Sequence, residues 1–237
     1  MFNITTRKMK DPVLFGLVLV IIGGCATAKV DQTKKTTGPL PRPDMVIVND
    51  FAVTSAEVKL DQGVVSKAMR DSDSRSISEE EDKVGHMVAS KLSEFLVEEL
   101  REAGIEATRA SSQVMPSSTT LMLTGQFITI DEGNQTARVW VGFAWGQTDL
   151  RTRIQVFQDV QLIAEAETVA RSSLKPGMLT SLGIGGAAST VVPIVIGGVT
   201  TGVSEAFLAV VEKDAKHTAK AVAKEVKKAY QERGWLP

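Results

Sequence analysis

The chain has 237 residues, 43% of them apolar and 23% charged, and a net charge of −1. That mix suffices for one buried core and excludes a wholly disordered, collagen-like or coiled-coil chain, and the near-zero charge argues against nucleic acid as a partner. A single cysteine leaves no intramolecular disulfide and no cysteine-cluster metal site.

Arg7, Lys8 and Lys10 form a basic head, and an apolar stretch runs from Val13 to Ile22. The stretch is too short for a transmembrane helix, which takes about 20 residues. With Gly23 and Gly24 behind it, the segment reads as a secretory signal peptide. Ile22-Gly23-Gly24-Cys25 resembles the bacterial lipobox, an aliphatic residue and two small ones before a cysteine. That resemblance implies cleavage between Gly24 and Cys25 and acylation of Cys25. Each buried methylene contributes about 0.8 kcal/mol, so more than one acyl chain gives stable anchoring. Ala26 stands where an aspartate would signal inner-membrane retention. The expected location is therefore the outer membrane, facing the periplasm, in a Gram-negative host. Loss of residues 1–24 leaves 213 residues with a net charge of −3.

Residues 25–44 are polar and carry Pro41 and Pro43, which predicts a lipidated N-terminus and flexible tether. A single domain is expected over 45–237. Met45 to Val53 predicts a strand. Residues 70–82 read as a solvated loop entering a helix over 79–103, with a capping box at Ser78 and Glu81 and Gly104 just past its end. The helix is marked by Val84, Val88, Leu92, Phe95, Leu96 and Leu100 at three-to-four spacing. A short strand over 105–109 follows, then a strand over 120–131, a turn at 132–134 and a return strand over 136–143, a hairpin. Residues 149–160 and 161–171 continue a meander whose charges alternate with apolar residues, as in a sheet with one wet face. The segment 176–204 has 29 residues, no charge and seven glycines. It is read either as a covering connection or as a membrane-associated helix of small residues. Residues 204–233 predict a long amphipathic helix closed by Gly234.

The blocks Gly125 to Asn134, Arg138 to Phe143 and Asp149 to Phe157 occur in a distinctive order. Lys175-Pro176-Gly177, the run Asp214 to Ala221 and Gly234-Trp235 complete it. Together, from about residue 45 to the C-terminus, they resemble the bacterial lipoproteins called domain of unknown function 4410. Trp145 stands where that family has a small residue. The resemblance implies location and fold, and names no activity. At the level of fold alone, the layout is similar to periplasmic α/β domains of the TolB N-terminal and curli-secretion lipoprotein type.

The candidate chemistry has simpler readings. His86 and His217 sit one in each helix and lack a second ligand at metal spacing. Glu165 and Glu167 share a strand face and suit a wet surface better than acid–base work. Asp131, Glu132 and Asn134 suit a turn better than a calcium loop. Gly183-Ile184-Gly185-Gly186 lacks the preceding strand of a dinucleotide loop. No cofactor and no metal are expected.

The fold class expected is α+β: an antiparallel sheet of four to six strands packed by two amphipathic helices. The function expected is a membrane-anchored, non-enzymatic binding or structural component of the envelope. Its partners are the membrane, through the acyl chains, and an envelope protein or a second copy. Candidate contacts are Trp140, Trp145, Gly185, Gly186, Gly197 and Gly198. The alternative is an oligomeric secretion or transport accessory whose glycine-rich segment meets the membrane.

Overall fold

The computed structural model describes residues 27–60, 76–111, 117–133, 148–172, 194–196, 199–201 and 205–237. In chain order these form β1 (Thr27–Lys35), β2 (Met45–Val48), a 3-10 turn (Ser55–Glu57), β3 (Val58–Lys59), α1 (Ile77–Glu102) and β4 (Ala107–Arg109). Then come β5 (Thr120–Asp131), β6 (Thr148–Gln158), β7 (Gln161–Ser172), β8 (Ile194–Ile196), β9 (Val199–Thr201) and α2 (Glu205–Glu232). The class is α+β, as expected. Among the described residues the sheet has seven strands rather than four to six, in the order β1-β7-β6-β5-β2-β4, with β3 also beside β5.

The sheet is mostly antiparallel, with a parallel corner. Strand β2 pairs parallel with both β4 and β5, and β3 pairs parallel with the far end of β5. Between them Ala52 bridges to Gln126. Residues 45–59 thus track one edge of β5, while β6 takes the other from Leu121 to Asp131. The strand expected at 136–143 lies outside the described residues, and the antiparallel partner of β5 is β6. Close approach decides one position here. A Cβ on Gly125 would lie 2.5 Å from Phe51 Cε1 and 2.6 Å from the Arg153 carbonyl oxygen. Phe51 therefore lies over the middle of β5 and meets Phe127 at 5.8 Å between ring centroids.

Both helices pack on one face of the sheet. Val84, Val88, Leu92, Leu96 and Leu100 of α1 are buried, as the spacing predicts. Val211, Ala215, Ala219, Val222 and Tyr230 of α2 join them in one core. The N-cap of α1 is Ser76, whose hydroxyl accepts from the Glu79 amide, two residues before the expected Ser78. The two helices end alike. Gly104 and Gly234 have positive φ, +82° and +69°, which glycine adopts without strain. The following amides, Ile105 and Trp235, reach back to the carbonyls of Leu100 and Tyr230 at 3.0 and 2.9 Å. Both are Schellman closures.

The expected tether is corrected over part of its length. Residues 27–35 form β1, paired antiparallel with β7 from Thr27↔Arg171 to Lys35↔Ala164. Its charged side chains suit an edge strand, which repels further strands with lysine. The loop after it is strapped to the end of α2. Arg233 donates to the carbonyls of Gly38 and Thr36 at 3.0 and 2.8 Å, and Lys35 pairs with Glu232. The helical reading of the glycine-rich segment is corrected where it is described. Residues 194–196 and 199–201 are β8 and β9, paired antiparallel. The β-branched residues Ile194, Val195, Ile196, Val199, Thr200 and Thr201 favour that conformation.

Candidate binding site

A cavity of about 120 Å³ lies between the sheet and the C-terminal half of α2. Its floor is Ile154 and Val156 of β6 with Ala164 and Ala166 of β7. Val30 and Gln32 of β1 close one side, and Val222, Val226, Ala229 and Tyr230 of α2 form the roof. Leu40 and Trp235 cover the end. The void has a simple cause. Ala164 and Ala166 on the strand face Ala229 on the helix, where larger side chains would fill the gap. The wall residues run along α2 from Val222 to Arg233, about 16 Å at the rise of a helix. Tyr230 meets Trp235 edge-to-face at 5.2 Å, and its hydroxyl is buried with no hydrogen-bond partner among the described residues. Burial pushes that phenol well above its usual range, so it remains a donor.

A second polar feature lies at the other end of α2. Asp214 is fully buried. Its carboxylate accepts from Thr148 Oγ1 at 2.7 Å and from Ser172 Oγ. Those two residues begin β6 and end β7. Burial pushes the Asp214 carboxyl up, while the hydroxyls of Ser172 and Thr148 and the charges of His217 and Lys213 pull it back. Four residues further along the same two strands, Thr152 and Thr168 share a hydroxyl hydrogen bond of 2.5 Å. Sequence reasoning passed over Asp214 and Tyr230 as sites. The available signal was polar residues on the apolar stripe of α2, where Asp214 and Thr218 alternate with Val211, Ala215 and Ala219.

Gly24, Cys25, Trp140, Trp145, Gly185, Gly186, Gly197 and Gly198 lie outside the described residues. Glu165 and Glu167 do share a face, with Arg153 opposite. Arg153 Nη2 is 2.8 Å from Glu167 Oε1, and Gln155 Nε2 donates to Glu165 Oε2 at 3.1 Å. Asp149 pairs with Arg151 and Arg171 along the same surface. This is the wet face that the alternation predicts. His86 is exposed, 3.7 Å from Asp82, and His217 is half-buried. Among the described residues, none cluster as a metal site, and no helix is long and apolar enough to cross a membrane.

The family described as "Domain of unknown function (DUF4410)" matches residues 46–189. No curated protein matches the chain. Among solved structures, a PelC dodecamer from Paraburkholderia phytofirmans is similar at 10% identity and a TM-score of 0.37, over 83% of this chain and 98% of that one. An uncharacterised protein is similar at 12% identity and a TM-score of 0.32, over 81% of this chain and 99% of that one.

Proposed function

The chain belongs to the DUF4410 family, and from this premise we propose that it is a lipid-anchored binding component of the bacterial cell envelope. It acts without enzymatic chemistry, from the outer membrane, facing the periplasm. The observation that carries this reading is the position of the chain's one cysteine. Cys25 follows a basic head, a short apolar stretch and two glycines. The fold supports it with a length. Strand β1 begins at Thr27, and two residues of extended chain reach about 7 Å at most. An acyl chain on Cys25 would hold the Thr27 end of the sheet against the leaflet. Ser172 and Thr148 lie at that same end, beside Thr27 across Arg171. The aromatic segment 134–147 and the glycine-rich segment 173–193 attach there.

The test is palmitate labelling of the protein in cells. Wild type is expected to incorporate label and fractionate with the outer membrane. Cys25→Ser is expected to remain an unlabelled precursor, and retained label would refute the lipid anchor.

A second reading, an oligomeric secretion or transport accessory, is favoured by one feature. The β8–β9 hairpin is uncharged, and among the described residues it pairs only with itself. Light scattering on the chain lacking residues 1–25 separates the two, since a monodisperse monomer sinks the oligomer.

A further inference from the structure

We propose that the outer face of α2 binds an anionic polysaccharide along a line of lysines. Lys213, Lys216, Lys220, Lys224, Lys227 and Lys228 are all exposed. At about 100° and about 1.5 Å per residue, they fall within an arc of about 120° and run for about 22 Å. Between Glu212 and Glu232 no acid stands in that arc. Glu212 and Glu225 flank it, and Glu232, also outside it, pairs with Lys35. The whole chain has a net charge of −1, so cations are gathered here rather than spread. Elsewhere on the surface cations meet acids, as Lys29 meets Asp31, Lys91 meets Glu94, Arg109 meets Asp50 and Arg153 meets Glu167. Among the described residues, none of the six lysines has an ion pair. Lys216 and Lys220, Lys220 and Lys224, and Lys224 and Lys228 are like charges four residues apart, a spacing that weakens a helix. An anion laid along the line offsets that repulsion.

What accompanies the lysines sets the class of the partner. The arc holds no Trp, Tyr, Phe or aliphatic side chain, the anchors that a protein partner would use. Arginine forks and stacking platforms, by which nucleic acids are held, are missing from it too. The apolar side of α2 is buried in the core, so the helix cannot sink it into a leaflet as an interfacial helix does. The helix α1 of a second copy fits poorly, because its exposed face mixes Lys83 and Arg101 with Glu94 and Glu98. A flexible linear polymer with a carboxylate on each sugar, a polyuronate, meets such a line through charge alone. Nothing in this face involves Cys25, so a negative acylation result leaves it standing.

The test uses the purified full chain in non-ionic detergent with fluorescein-labelled polygalacturonate, followed by anisotropy. Wild type is expected to bind, and affinity should fall at least about tenfold between roughly 50 and 200 mM salt. Lys220→Gln, Lys224→Gln and Lys227→Gln together should weaken binding at least about tenfold at the lower salt. Glutamine keeps the helix propensity and relieves the repulsion, so this variant should melt no lower than wild type. The same three lysines changed to arginine keep the charge and should keep the affinity. Lys34→Gln, Lys59→Gln and Lys83→Gln together remove as much charge elsewhere and should change affinity by less than about twofold. Absent binding, binding indifferent to salt, or equal loss in the two glutamine triples overturns the site. Loss of binding in the arginine triple overturns the role of charge. Duplex DNA, polyglutamate or micelles doped with phosphatidylglycerol that displace the polymer more strongly than unlabelled polygalacturonate at equal charge overturn the class.

Discussion

Asp214 sits on the stripe of α2 that otherwise carries Val211, Ala215 and Ala219. The sheet meets it with the hydroxyls of Thr148 and Ser172, which tie the start of β6 and the end of β7 to the helix. Burial raises its carboxyl above the unfolded value near 3.9. The folded chain therefore binds that proton more tightly than the unfolded chain. The stabilising contribution is whole below about pH 4 and is lost as pH rises through the interval up to the folded value. Asp214→Asn removes the titration while keeping an acceptor oxygen for one hydroxyl. Relative to wild type, it should gain stability between pH 4 and pH 7. Asp214→Ala leaves the buried Ser172 hydroxyl without its acceptor, while Thr148 keeps the Ser172 carbonyl, and should lose about 1–3 kcal/mol at both. Urea midpoints at the two pH values measure this, and an Asn–wild-type difference that does not change with pH would contradict it.

At the scale of elements, the void between β7 and α2 comes from three alanines, which gives it a direct stability test. Ala166→Val adds two carbons at a strand position that favours a branched side chain. At about 0.8 kcal/mol for each buried methylene, stability should rise by up to about 1.6 kcal/mol, read as a higher urea midpoint with an unchanged slope. A fall would mean that the space is already filled. The helices were legible because their apolar residues repeat at three-to-four spacing, and because glycines stand where Schellman closures need them. Strand β5 was legible to the residue, and β6 and β7 nearly so, since apolar residues alternate with charges along one wet face. Strand β1 was not legible. Its sequence, TAKVDQTKK, has the composition of a solvated linker, and only pairing with β7 makes it a strand. Local pattern cannot show a partner more than a hundred residues away. The cavity escaped for the same reason. Ala164, Ala166 and Ala229 are unremarkable in sequence, and the void exists only where they face one another.

For the whole molecule, the position of β1 turns a proposed anchor into a proposed orientation. With Cys25 two residues from Thr27, the end of the sheet carrying Thr27, Arg171 and Ser172 lies at the leaflet. The turn at Asp159 and Val160 lies at the opposite end of β7. From Gln161 to Ser172 that strand covers about 36 Å at 3.3 Å per residue. Val160 is 90% exposed, and Asp159 holds the turn with φ 55°. The domain should therefore stand with its long strands directed away from the membrane. A fluorophore placed by cysteine substitution at Arg171 or at Val160, in chains acylated at Cys25 and reconstituted into vesicles, reads this directly. Spin-labelled headgroups should quench the Arg171 probe strongly and the Val160 probe weakly. A tether of twenty residues would let the domain tumble, and both probes would then be quenched weakly and alike. The ratio of the two quenching constants therefore measures whether β1 remains a strand when the anchor is in the bilayer.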